Sequence, residues 1–218
     1  MPDLDADRSL ALAYVPAGAR PALEALWRLD VTFGAVLATG SEPMVSRIRL
    51  AWWREALERL DREAPPAEPL LQALAGQVLA AGISGAALAA MEEGWLELLS
   101  EGPLDRDSLN AYAAARGGAL FRLSANLLGL PGHPVEAAGR RWALVDLARR
   151  STDRGEAAAA LAAAALVGDE GRWPPLLRPL GMLSMLARRD LRRGPDAWEG
   201  QGAPARMLRM LRHRLSGK

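Results

Sequence analysis

The sequence of 218 residues has no cysteine. That excludes a disulfide framework, a thiolate zinc site, a cysteine nucleophile and a cysteine-held iron–sulfur cluster. Histidine is almost missing as well. His133 and His213 stand 80 positions apart, so a histidine-built metal site or a Ser/His/Asp triad is not expected. Lysine occurs once, at Lys218, against 26 arginines, and isoleucine and asparagine occur twice each. The scarce residues use AT-rich codons and the abundant Ala, Arg, Gly and Pro use GC-rich ones. Arginine abundance therefore reads as codon bias and not as phosphate binding. Charge of one sign is missing too. With 27 basic and 26 acidic side chains the net charge is +1, which argues against a dedicated nucleic-acid binder. The longest strictly apolar run is Ala157–Val167, eleven residues. A spanning helix needs about 20. The acidic start MPDLDADRS lacks the basic-then-apolar order of a signal peptide. The expectation is a cytoplasmic protein, able to sit at the periphery of the inner membrane.

Half of the residues are hydrophobic, enough for a sizeable core. Their spacing is helical nearly throughout, with no alternating strand pattern. Breakers fall at Gly40/Ser41/Pro43, Pro65-Pro66, Gly82–Gly85, Gly102-Pro103, Gly129–Pro134, Gly168–Gly171 and Gly194–Gly202. They divide the chain into about eight helices. Ser41 with Pro43 marks one helix start and Asp105 another, while Gly129 marks a stop. No linker forces a second domain. The reading is one all-α domain over 1–218, an antiparallel bundle with its core at about 9–193. A basic helix follows at about 203–215.

Charge is uneven along the chain. Residues 172–218 carry about +8, leaving about −7 for the rest. In RMLRMLRHRL, the spacing predicts Met207, Leu208, Met210, Leu211 and Leu215 on one face and Arg206, Arg209, Arg212 and His213 on the other. Such a helix either docks its apolar face on the body or lies on an anionic membrane or acidic partner.

Two polar residues fall within apolar arcs. Asp30 lies between Leu23, Leu26, Gly34 and Leu37 on a helix of about Arg20–Thr39. Arg49 lies between Trp53, Ala56 and Leu60 on the helix that begins near Pro43. A buried charge needs a partner. Asp30 is expected to pair with Arg49, or the two line an internal cavity whose wall includes Trp52 and Trp53. The pair Gly117-Gly118 inside a helical pattern implies close helix approach, and His133 falls in a turn.

The segment from Leu10 to Asp61, containing ALWRLD and then SEPMVSRIRLAWWREAL, resembles the squalene/phytoene synthase family. LNAYAAARGGALFRLSANLLGL is similar to that family's Tyr-containing helix, with Tyr112 at the tyrosine. EAAGRRWALVDLARRSTDRG stands in the place of its second aspartate-rich helix, and LLRPLGMLSMLARRDLRRG resembles its late helix. The ordered set covers about residues 9–193. The resemblance implies the terpenoid-synthase type of all-α bundle around a deep cavity. It also implies head-to-head joining of two prenyl diphosphates, with Mg²⁺ held between two aspartate-rich helices. Mg²⁺ takes octahedral oxygen ligands from carboxylates and phosphates, and it neutralises the departing diphosphate.

This chain departs from that pattern. With Arg28 aligned on the family's arginine, the first motif's aspartate positions are Val31, Thr32 and Ala35. A shift of one place makes Asp30 the first aspartate, but its i+4 partner is then Gly34. In the second region Asp146 and Asp153 are seven apart, and Arg149 and Arg150 stand where i, i+4 carboxylates would be. The stretch after the second motif is Ala-rich where the family has a Gly-Arg-x-Tyr-Leu-Pro-like run. The pattern resembles the branch that includes a mitochondrial complex I assembly factor. That likeness implies a non-catalytic assembly or binding protein without a metal cofactor. Its partner would be a respiratory-complex subunit or the inner-membrane surface, met by the basic C-terminus. Two alternatives stand beside it. One is a Mg²⁺-dependent prenyltransferase whose Arg47, Arg49, Arg149 and Arg150 grip diphosphate. The other is a carrier with an isoprenoid ligand. The candidate site residues are Asp30, Arg47, Arg49, Trp52, Trp53, Tyr112, Asp146, Arg149, Arg150 and Asp153.

Overall fold

A computed structural model describes residues 3–40, 42–100, 102–168 and 171–217. Within them the chain is helical and has no strand. The α-helices are α1 (Ala6–Ala13), α2 (Arg20–Thr39), α3 (Pro43–Arg59), α4 (Pro69–Ala73), α5 (Gly85–Ala89) and α6 (Glu92–Glu97). They continue with α7 (Arg106–Tyr112), α8 (Ala119–Leu127), α9 (Glu136–Arg150), α10 (Arg154–Ala165), α11 (Arg178–Arg193) and α12 (Pro204–Ser216). Among the described residues twelve α-helical segments replace the expected eight or so. A π-helical turn at Ala113–Gly118 separates α7 from α8, another at Leu74–Leu79 ends α4, and short non-helical stretches at 14–19 and 151–153 separate α1 from α2 and α9 from α10.

The local signals act as expected where they are described. Asp105 caps α7 by accepting from the Ser108 N–H at 2.8 Å. Gly129 takes φ +78° just beyond α8, a conformation that strains any residue with a Cβ. Pro21 and Pro43 sit in first turns, where a missing N–H costs nothing. The Ser41 cap lies outside the described residues.

α9 is the central rod. Buried residues run almost without interruption from Ala138 to Ala148, a pattern for a helix covered on all sides. It packs against the π turn at 113–118, α10 and α11. α2 supplies the opposite wall through Leu23, Leu26, Leu29 and Phe33. Trp27 Nε1 ties α2 to α8 by donating to Ser124 Oγ at 3.1 Å.

α12 overturns one expectation. Arg206 and His213 are buried beside Met210, while Leu208 and Leu215 face solvent. The reason is electrostatic. Arg206 is clamped between the buried carboxylates of Asp7 and Asp190, and that clamp outweighs the burial of leucines.

A buried guanidinium between two aspartate helices

Arg116 sits in the π turn, almost without solvent exposure. Its Nε donates to Asp30 Oδ1 at 2.8 Å and its Nη2 to Asp30 Oδ2 at 3.1 Å. The same Nη2 donates to Asp146 Oδ2 at 2.7 Å, and Nη1 donates to the Tyr112 hydroxyl. One planar fork thus joins α2 to α9 (Asp30 to Asp146). The cation is enclosed by aromatic rings as well. Its Cζ lies 4.2 Å from the Trp95 ring centre and 4.9 Å from that of Trp142.

Close backbone approach lets the fork reach both carboxylates. A Cβ on Gly117 would lie 2.1 Å from the Gly139 carbonyl oxygen, and the converse distance is also 2.1 Å. A Cβ on Gly94 of α6 would lie 2.8 Å from Arg116 N. Only glycine fits these three positions without a backbone shift. Gly118 is different, since its nearest neighbour would be 3.5 Å away.

Two further arginines complete the cluster. Arg8 Nη1 lies 3.0 Å from Asp30 Oδ2, its Nε 3.2 Å from Asp5 Oδ2, and its Cζ 4.8 Å from the Trp142 ring centre. Arg150 Nε donates to Asp146 at 3.1 Å. Three arginines and three aspartates therefore balance. Burial alone would push the Asp146 carboxyl up, but Arg116, Arg150 and Arg8 outweigh it and hold it well below the usual range. Burial likewise pulls the Arg116 guanidinium down, and Asp30, Tyr112 and Asp146 reverse the effect and raise it. Burial is also the main reason that the Tyr112 phenol is pushed up to about 12.

A second network lies next to the first. Arg206 binds Asp7 at 2.7 and 3.0 Å and Asp190 at 2.7 and 2.8 Å. Arg149 adds a bond to Asp190 at 3.0 Å and one to the Glu199 carbonyl at 2.7 Å. Between the networks lies a cavity of about 30 Å³, lined by Asp5, Asp7, Arg8, Trp142, Asp146 and Asp190 among others. Such a volume holds one or two water molecules.

The candidate residues are thus divided. Asp30, Tyr112, Asp146 and Arg150 meet at one centre. Arg149 belongs to the second network. Arg47 and Arg49 lie on the exposed outer side of α3, where they donate to the Leu99 carbonyl and to Thr39 Oγ1. The expected Asp30–Arg49 pair does not form, because α3 turns Ser46, Leu50, Trp53 and Leu57 inward and leaves Arg49 outside. Trp53 is buried edge-on against Phe33, but Trp52 is half exposed and walls no interior cavity. Asp153 is drawn away from Asp146 because α9 ends at Arg150. It caps α10 instead, accepting from Glu156 N at 2.8 Å. The four arginines offered as a diphosphate grip do not converge.

Arg116 and Arg8 were not among the candidates. Arg116 carried a signal: it is a lone charge in AYAAARGGAL, a helix of small residues. Arg8 carried none, since it directly follows Asp3, Asp5 and Asp7 in a stretch that reads as a solvated helix start.

Mg²⁺ fits this donor set poorly. It needs oxygen ligands at about 2.0–2.1 Å in octahedral array. Asp30 and Asp146 already accept from arginines, and a divalent ion would join three fixed positive charges. Among the described residues no group of three or more His, Cys, Asp or Glu is placed to hold a metal ion.

Residues 1–167 match the family model described as squalene/phytoene synthase. No curated protein matches the chain, and no solved structure matches it.

Proposed function

The chain belongs to the squalene/phytoene synthase family, and from that premise we propose that it is a non-catalytic binding or assembly factor. The observation that carries the reading is the Arg116 bridge. The family's chemistry calls for carboxylates of two facing helices to be free for Mg²⁺ and diphosphate. Here Asp30 on α2 and Asp146 on α9 are both spent on one guanidinium. Arginine does not lose its proton in proteins, so the guanidinium keeps its charge between the two carboxylates. The space between the two networks admits water and not a prenyl chain. Binding substrate and transition state equally well gives no acceleration, and nothing at this centre is poised for a charge that develops only in the transition state.

The expected partner is a respiratory-complex subunit, by likeness to the branch with the complex I assembly factor, or the inner-membrane surface. Calorimetric titration with a non-hydrolysable farnesyl diphosphate analogue, with and without Mg²⁺, tests the core. Absence of Mg²⁺-dependent binding is expected. Tight Mg²⁺-dependent binding would overturn the reading in favour of a prenyltransferase. Binding indifferent to Mg²⁺ would keep the non-catalytic reading and replace the assembly role with that of an isoprenoid carrier. The assembly role predicts that deleting the gene in its own host lowers assembled NADH–quinone oxidoreductase, while isoprenoid lipid levels stay unchanged.

A further inference from the structure

α12 has its polarity reversed with respect to the protein body. Leu208 is 69% exposed and Leu215 is 80% exposed, with Leu211 half-buried between them. Their i, i+3, i+7 spacing places the three leucines on one outward stripe. Arg209 and Arg212 are exposed beside it, and no acidic residue occurs between Pro204 and Gly217. The C-terminal stretch of the chain is basic as well. Between residues 171 and 217 the acids are Asp190, Asp196 and Glu199. Asp190 is buried against Arg149 and Arg206, and Glu199 is paired with Arg189 and Arg193. An open groove of about 410 Å³, lined by Arg172, Arg188, Arg192, His213 and Gly217, lies on the other side of α12, the side that carries the buried His213.

We propose that α12 lies flat on an anionic lipid bilayer. Leu208, Leu211 and Leu215 enter the boundary between headgroups and acyl chains. Arg209 and Arg212 meet the lipid phosphates. The helix of 13 residues is about 20 Å long, too short to span but suited to lie in the plane. Charge complementarity selects the bilayer over a second copy of this chain. Pairing two copies of α12 would set Arg209 and Arg212 against themselves, with no carboxylate on the helix to relieve them. The inference rests on the partner reading above and is independent of the catalytic question.

The test is flotation of the full chain with liposomes of mixed phosphatidylglycerol and phosphatidylcholine, and with liposomes of phosphatidylcholine alone. Binding to the anionic liposomes, weakened by salt, is expected. The pair Leu208→Ser and Leu215→Ser is expected to lower the partition coefficient at least about tenfold. Arg209→Gln and Arg212→Gln should each lower it about fivefold. All four side chains are exposed, so an unchanged thermal midpoint shows that the variants fold. Absence of binding to anionic liposomes overturns the proposal. So does binding that the leucine variants leave unchanged. A wild-type dimer by light scattering that the leucine variants turn into a monomer assigns the stripe to self-association and also overturns it. A failed flotation leaves the filled core untouched, and Mg²⁺-dependent binding of the farnesyl analogue leaves the bilayer face untouched.

Discussion

Replacing Arg116 with methionine keeps much of the side chain's length and removes its charge. Asp30 then loses two hydrogen bonds and Asp146 loses one, while Tyr112 loses its donor. Both carboxylates remain buried. Each retains one cation, Arg8 at 3.0 Å for Asp30 and Arg150 at 3.1 Å for Asp146. Breaking a buried ion pair from one side typically costs about 3–5 kcal/mol, because it leaves uncompensated charge. Two stranded carboxylates argue for the top of that range and their surviving partners for less, so about 4 kcal/mol is expected. Whole domains are stable by only about 5–15 kcal/mol. Urea unfolding at constant slope measures the change. With a slope of about 3 kcal/mol per M, the midpoint should fall by about 1–2 M. The triple variant Arg116→Met, Asp30→Asn, Asp146→Asn removes the stranded charges and should regain part of the loss. A midpoint change under about 0.3 M in Arg116→Met would refute the reasoning, since it would mean the centre is hydrated and not an internal ion pair. A triple variant less stable than the single would refute it as well.

The remaining predictions are shorter. The native Asp146 carboxyl is depressed, so the unfolded chain binds more protons. Its stabilisation is therefore complete above the unfolded value, about pH 4, and is lost as pH falls further toward the native value. Acid unfolding followed by circular dichroism should accordingly be less steep in Asp146→Asn. The native Tyr112 phenol is raised to about 12, so its contribution is present up to about pH 10 and is lost as pH rises from there through the native value. Spectrophotometric titration should show a phenolate step near 12 that Tyr112→Phe removes. Gly117→Ala should lower stability by about 1–3 kcal/mol or more, because its Cβ meets backbone, while Gly118→Ala should be near neutral. Paired thermal melts would show both. Arg206→Met should cost about 3–5 kcal/mol by stranding Asp7 and Asp190, whereas Leu208→Ser, at an exposed position, should stay within about 0.5 kcal/mol.

Local signals were legible in the sequence because local physics sets them. The helix over Arg20–Thr39 follows from apolar spacing and a tolerated Pro21. The Asp105 cap and the Gly129 stop follow from hydrogen bonding and from φ. The inward direction of Asp30 and the close approach at Gly117 were legible too, the first from periodicity and the second from a helical glycine that propensity disfavours. The lack of paired aspartates needs only a count along the chain.

Which charge answers Asp30 was not legible. Arg49 is 19 residues away in sequence and stays outside, whereas Arg116 is 86 away and meets it. Sequence spacing carries no record of that distance. Only the crossing of the π turn over α9, permitted by Gly117 and Gly139, brings the guanidinium between the two helices. The same holds for α12. Periodicity grouped its leucines with Met210 on one face and Arg206 with the other basic residues on the opposite face, but Asp7 and Asp190 lie at opposite ends of the chain and converge only in the folded state, where they draw Arg206 inward. A buried carboxylate pair demands a cation more strongly than the core demands two more leucines. The sequence by itself determined the all-helical character and the missing paired aspartates. The tertiary structure decided which charges are internal, because ion pairing in a low-dielectric interior depends on distance in space and not on separation along the chain.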